Sequence, residues 1–335
     1  MAMDKTAARS YVYAKACAIL SRAYVGDNAR ALFSAKSLSD LWSLVFKTEI
    51  PAVPQVMLTK KIQSEASARF VEELRSLLAN YSSPDPLLVK FIQSFEYENF
   101  KTITGALCYG EKTLPEITDI HPFGFIKYEK WPDLKEMTSD SEISWYNTVP
   151  EAQKLHEADF ALDSFYMKGL WAQVKKSSSE CRSDLMKLIG RKICLDNAIW
   201  ALRLKIYYHM KNEDIYPHLV YEDQSKGLKD YFVQDAVTVL SFDTDDYEQW
   251  HKWKYRDLLN PHEEGLVWTV DPRWINNSFK VRYARESRKL FHLHPFTECP
   301  LVCLYILKRQ ELENICTAAE GLRLNVSFEA EVKNG

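Results

Sequence analysis

One amphipathic helix, written three times, constrains this chain more than any other feature. The stretches SFEYENFKTITGAL (94–107), RKICLDNAIWALRL (191–204) and LKRQELENICTAAEGL (307–322) each carry an acid followed by asparagine: Glu98-Asn99, Asp196-Asn197 and Glu313-Asn314. Aligned on the asparagine, the apolar positions coincide. Phe91, Ile189 and Ile306 sit eight residues before it; Tyr97, Leu195 and Leu312 sit two before; Phe100, Ala198 and Ile315 follow directly; Ile103, Ala201 and Ala318 sit four after. Offsets of −8, +1 and +4 fall on one helical face. The copies are 98 and 117 residues apart, one in each third of the chain. A recurrence at that period implies three related helical units rather than one irregular core.

The rest of the sequence agrees with an all-α fold. Helical periodicity runs through 11–24, 62–79, 183–212 and 301–323, while prolines cluster between such segments, at 51–54, 84–86, 115–122, 261, 272 and 295–300. Only 10 of 335 residues are glycine, so a glycine-rich cofactor loop is not expected. Strand signals are confined to VTVLSF (237–242) and the tail LRLNVSFEAEV (322–332). The expected division is three similar helical domains, 1–115, 116–228 and 229–335, about a pseudo-threefold axis.

Composition excludes several function classes. A net charge of −3, from 43 basic and 46 acidic side chains, argues against a nucleic-acid binder. The longest apolar run, PLVCLYIL (300–307), is too short for a membrane span, which needs about 20 residues. Seven scattered cysteines without a C-x-x-C pair read as reduced thiols. Cys299 and Cys303 have the i, i+4 spacing of metal ligands, but no second pair accompanies them, and no metal or cofactor is expected.

Two local look-alikes remain. Gly105, Gly110, Glu111, Lys112 and Thr113 mimic a phosphate loop with one residue too many. They fall in a helix-ending position, and a phosphate loop must follow a strand and open a helix. Asp243-x-Asp245 after VTVLSF has the form of a metal-dependent phosphatase nucleophile of the haloacid-dehalogenase type. The D-x-D-D run would equally suit a terpene-cyclase acid, or a helix N-cap before DYEQWHKW (246–253). The N-cap is the favoured reading of the three. No nucleophile elbow or histidine metal motif is present.

The segment PLVCLYILKRQELENICTAAEGLRLNV resembles the closing helix of the V-type (A/V-type) ATPase family whose member is called C in prokaryotes and d in eukaryotes. The resemblance rests on Tyr305, Lys308, Glu311, Asn314, Ile315 and Gly321. The opening YVYAKACAILSRAY resembles its first helix at Ala14, Ile19, Leu20 and Ser21, and ADFALDSFYMKGLW with LDNAIWALRLK its central part. Cys194-Leu195 departs from the family's acid-plus-aliphatic entry to the central repeat, and the tail beyond Gly321 is longer than the family pattern. The resemblance implies a funnel of three helical domains without catalytic chemistry. It implies a seat on the proteolipid ring at the cytoplasmic face of the membrane. It further implies a grip on the central-stalk subunits D and F. On that basis Lys101, Arg203, Lys205, Lys308, Arg309 and Arg323 are the expected stalk-binding surface. The acid–asparagine pairs are expected to act as hydrogen-bonding devices within the fold, and Phe123, Phe125 and Trp131 as ring contacts.

Overall fold

The computed structural model describes residues 5–262 and 265–326. They form α-helices joined by loops and short 3-10 turns, without an extended strand among the described residues. In chain order the helices are α1 (Lys5–Leu20), α2 (Arg30–Phe33), α3 (Leu38–Val45), α4 (Gln55–Leu78), α5 (Pro86–Ile92), α6 (Ser94–Cys108), α7 (Leu134–Thr138), α8 (Leu155–Val174), α9 (Ser179–Tyr207), α10 (Asn212–Ile215), α11 (Gln234–Leu240), α12 (Tyr247–His251), α13 (Pro272–Leu293) and α14 (Cys299–Leu324).

The chain packs as two compact units. The first runs through Gln173 and resumes at Leu290; the second spans Val174–Lys289. In the first, α4 lies along α14, and α1, α2, α3 and α5 also pack on α14. Leu41, Trp42, Leu58, Ile62, Ile315, Ala318 and Ala319 make one core there. In the second, α9 packs on α11 and α10. Ala201, Leu204, Ile215, Val233, Ala236 and Leu240 are buried between them.

Side-chain oxygens at the N-caps set several helix starts by accepting the amides left free in the first turn. Ser37 accepts from the Asp40 amide at 3.1 Å and Asp85 from Leu87 at 3.1 Å, with Pro86 in the first turn. Asp133 accepts from Glu136 at 3.1 Å.

Sequence and structure differ at VTVLSF. That run carried one of the two strand signals, yet Gln234–Leu240 is α11. Val239 and Leu240 are buried within the second unit, where Ala236 and Leu240 pack against Ala201 and Leu204 of α9. Burial on one side of a two-turn helix suits the same apolar residues, and that packing overrides β-propensity. Leu322–Leu324, assigned above to a strand-like tail, complete α14, which ends at a left-handed Asn325. The remainder of that tail, from 327, lies outside the described residues.

Candidate functional site

The three asparagines share one task. Asn99 donates from Nδ2 to the Thr118 carbonyl at 2.8 Å and accepts the Thr118 amide on Oδ1 at 2.8 Å. Asn197 does the same to Val220, at 2.8 Å and 2.9 Å, and donates also to the Phe232 carbonyl at 3.0 Å. Each carboxamide therefore pairs with one backbone residue as a strand neighbour would, fixing a loop against the helix. Asn314 donates to the Tyr24 carbonyl at 3.1 Å, and the Tyr24 amide is taken by Glu311 at 2.8 Å. The third helix thus holds a residue far earlier in the chain, 290 positions before Asn314.

The acids that matter lie three residues before the asparagines. Glu96 is fully buried, and its Oε1 accepts the Phe125 and Ile126 amides at 3.0 and 2.9 Å while Oε2 accepts the Tyr128 hydroxyl. A Cβ on Gly124 would stand 3.0 Å from Glu96 Oε1, a tight contact that glycine avoids. Burial, and then the neighbouring Glu96 charge, push the Tyr128 phenol well above its ordinary range, so it stays a donor. Glu311 stands at the same register in α14. It is buried with Lys308, which it pairs with, and Lys308 also reaches Glu73 at 2.8 Å. In the second copy this position is Cys194, whose Sγ lies 3.3 Å from the Tyr231 carbonyl. Here the loop supplies its own buried acid: Asp230 accepts the Glu222, Asp223 and Phe232 amides at 3.1, 2.9 and 3.0 Å. Burial pushes the Cys194 thiol up to about 12.

The acids directly before the asparagines lie farther out. Glu98 pairs with Arg309, Asp196 with Lys192 on its own helix, and Glu313 is exposed. The apolar offsets are as the sequence indicates: Phe100, Ala198, Ile315, Ile103, Ala201 and Ala318 are all buried. Gln93 interrupts the first copy, so Phe91 lies on α5 rather than α6.

The copies also end alike. The carbonyl seven residues after each asparagine, on Ala106, Leu204 and Gly321, accepts an amide from beyond the helix: Glu111 at 2.9 Å, Met210 at 3.2 Å and Val326 at 2.9 Å. Gly110, His209 and Asn325 supply the left-handed residue before it, at φ +75°, +53° and +53°. The glycine that resembled part of a phosphate loop is therefore a helix terminator.

In the first unit, side-chain contacts join α6 and α14. The Ser94 and Tyr305 hydroxyls are 2.6 Å apart, and one turn further along both helices Arg309 meets Glu98. The guanidinium also lies 4.5 Å over the Phe95 ring.

The six basic residues have different surroundings. Lys101 pairs with Asp163; Lys205 donates to the Leu240 and Phe242 carbonyls at 2.9 and 3.0 Å; Arg323 pairs with Glu320 at 2.6 Å. Lys308 and Arg309 are held as described. Arg203 is half-buried and makes no hydrogen bond or ion pair among the described residues. Of the three expected ring contacts, Phe125 stacks edge-on against Tyr97 at 5.5 Å, and Trp131 donates its indole N–H to the Lys112 carbonyl at 3.2 Å. Phe123 is half-buried and lends its carbonyl to Gln93.

Asp243 and Asp245 are exposed in the turn between α11 and α12. Asp246 caps α12 by accepting the Gln249 amide at 3.2 Å, and the Asp243 carbonyl accepts the Trp250 indole at 2.7 Å. The phosphatase arrangement needs its nucleophile at the end of a strand, and α11 occupies that place. The Cys299 and Cys303 thiols, 3.8 Å apart and buried, are joined by no further cluster of ligand type among the described residues.

A model of the ATP synthase (C/AC39) subunit family matches residues 26–330, nearly the whole chain. The chain belongs to that family. It is also 24% identical over 320 residues to an uncharacterized protein of Treponema pallidum (strain Nichols), covering 96% of this chain and 94% of that one. C/AC39 membership makes the chain a component of an ATP-synthase-type complex. Among the described residues no helix is long and apolar enough to cross a membrane. Of the buried acids, Glu311 stands out in the sequence only through the family pattern, and Glu96 does not stand out at all. The signal available was E-x-x-N, written at 96–99 and again at 311–314.

Proposed function

We propose that this chain is a non-catalytic coupling subunit of a rotary ATPase, seating the central-stalk subunits D and F on the proteolipid ring at the cytoplasmic face of the membrane. The family match carries this reading. The three matched asparagine clamps support its architectural half, three helical repeats (1–115, 116–228, 229–335) about a pseudo-threefold axis. Torque transfer suits such a body, because closely packed helices deform little. Lys101, Arg203, Lys205, Lys308, Arg309 and Arg323 form the proposed stalk-facing set. Phe123, Phe125 and Trp131 form the proposed ring-facing set.

The deciding experiment is affinity purification of the tagged chain from native membranes, with subunits identified by mass spectrometry. Recovery of D, F and the ring proteolipid is expected. A preparation that holds no rotary-ATPase subunit overturns the proposal.

A further inference from the structure

Ile275, Phe279, Tyr283, Ser287 and Phe291 bury one side of α13 at four-residue spacing. Val281, Arg285, Lys289 and Leu293 keep the same spacing two residues out of step, which places them on the opposite side, and Arg288 stands one turn from Arg285. Val281 is 55% and Leu293 61% exposed, and Arg285, Arg288 and Lys289 are exposed between them. None of these three cations makes a hydrogen bond or ion pair among the described residues. The one acid of α13, Glu286, is taken up by Arg191 at 2.7 Å and Arg282 at 3.1 Å.

α13 holds six basic residues and one acidic residue in a chain of net charge −3. The rest of the chain is therefore net acidic, and the positive field is local to this helix. The helix dipole does not account for the cations, because it acts within the last turn, where His292 is the basic residue. The pattern also differs from a protein hot spot, in which Trp, Tyr and Arg gather in a central desolvated pocket. Here the cations are central, the apolar side chains are aliphatic and stand at the two ends, and the row lies open along about 18 Å of helix.

We propose that this side of α13 rests on an anionic lipid surface. Lipid phosphates and carboxylates meet Arg285, Arg288 and Lys289, which pair with them without requiring a fixed register. Val281 and Leu293 enter the boundary between headgroups and acyl chains, as the apolar residues of an interfacial helix do. A plane of headgroups suits a straight, open row, because every cation on it reaches an anion at once. The contact is made by the chain itself, so it goes beyond the proposed seating on the ring and does not rest on it.

The test measures co-sedimentation of the purified full chain with large unilamellar vesicles of phosphatidylcholine, alone or mixed with phosphatidylserine. Binding to the mixed vesicles only is expected, and raising the salt concentration should weaken it. Arg285→Glu, Arg288→Glu and Lys289→Glu together should lower the affinity at least about tenfold. Lys36→Glu, Lys60→Glu and Lys112→Glu together change the net charge equally at exposed positions elsewhere, and should lower it by less than about threefold. Val281→Ser with Leu293→Ser should weaken binding while leaving its salt dependence as it was. All eight positions are on the surface, and unchanged circular dichroism and thermal melts exclude misfolding as the cause. The proposal is overturned if the mixed vesicles bind no better than phosphatidylcholine alone, if the α13 triple variant binds as the unaltered chain does, or if both triple variants weaken binding alike. Binding to polyglutamate without binding to vesicles overturns it in favour of an acidic protein partner. Each of these outcomes leaves the affinity purification of ATPase subunits unaffected, so the two readings fail separately.

Discussion

Asparagine carries a donor and an acceptor side by side, as a peptide group does. At 99 and 197 that equivalence lets one side chain satisfy both polar groups of a loop residue. Asn197→Ala would strip Val220 of two partners and Phe232 of one. Buried backbone groups left unpaired make the expected loss of stability about 2–4 kcal/mol. The neighbouring Asp196→Ala removes a half-exposed i, i+4 ion pair and should cost only about 0.5 kcal/mol. Urea unfolding of the two variants checks this, and equal midpoints would refute the ranking. Gly110→Ala meets no atom within 4 Å, so its whole effect is the strain of a left-handed alanine, about 1 kcal/mol. Cys194 adds a pH dependence. Its thiol is raised from 9.0 to about 12 in the folded chain, first by burial. Between those values the unfolded chain has lost the proton and the folded chain has kept it. Stability therefore falls as pH rises above 9, by up to about 1.4 kcal/mol per pH unit from this group. Cys194→Ser should flatten that part of the urea-midpoint profile, and an unchanged slope between pH 9 and 10 would show the thiol to be irrelevant.

At the scale of the element, long helices were legible in the sequence and their partners were not. Period alone marked α4, α9 and α14, because each has an apolar stripe several turns long. Two-turn α11 was misread as a strand: seven residues carry too little periodicity to separate the two forms, and packing on α9 decided the outcome. The asparagine register was visible as repetition, but the residues it would hold, 19 and 23 positions on, were not. Loop backbone has no side-chain pattern to betray it. The buried Glu96 was hidden by the more conspicuous Glu98, and only the structure shows that Glu98 pairs with Arg309 of α14. That pair should contribute modestly. Arg309→Leu keeps the apolar contact with Phe95 and loses the ion pair and the Tyr305 hydrogen bond, for an expected cost of about 1–2 kcal/mol. A double-mutant cycle with Glu98→Ala isolates the charge component, and a coupling energy indistinguishable from zero would mean that the pair is screened away.

Over the whole chain, the third clamp has a topological consequence. The first two helices hold loops that come after them; α14 comes last and holds Tyr24 instead, 290 residues back from Asn314. The segment around Tyr24 is thereby tied to α14 in the first unit, with α1 packed on α14 and the Tyr24 hydroxyl donating to the Leu44 carbonyl. Closing by a side-chain clamp makes this tie separable from the rest of the fold. Asn314→Ala removes the bond to the Tyr24 carbonyl, keeps the buried Glu311–Lys308 pair, and leaves the Asn99 and Asn197 clamps untouched. Hydrogen exchange of the intact chain should then show the peptide around Tyr24 exchanging at least about tenfold faster, the equivalent of about 1.4 kcal/mol of local opening. Peptides around Thr118 and Val220 should keep their rates. Acceleration at all three places would mean that the clamp at 314 supports the fold globally, and no acceleration at Tyr24 would mean that helix packing alone holds the N-terminal segment.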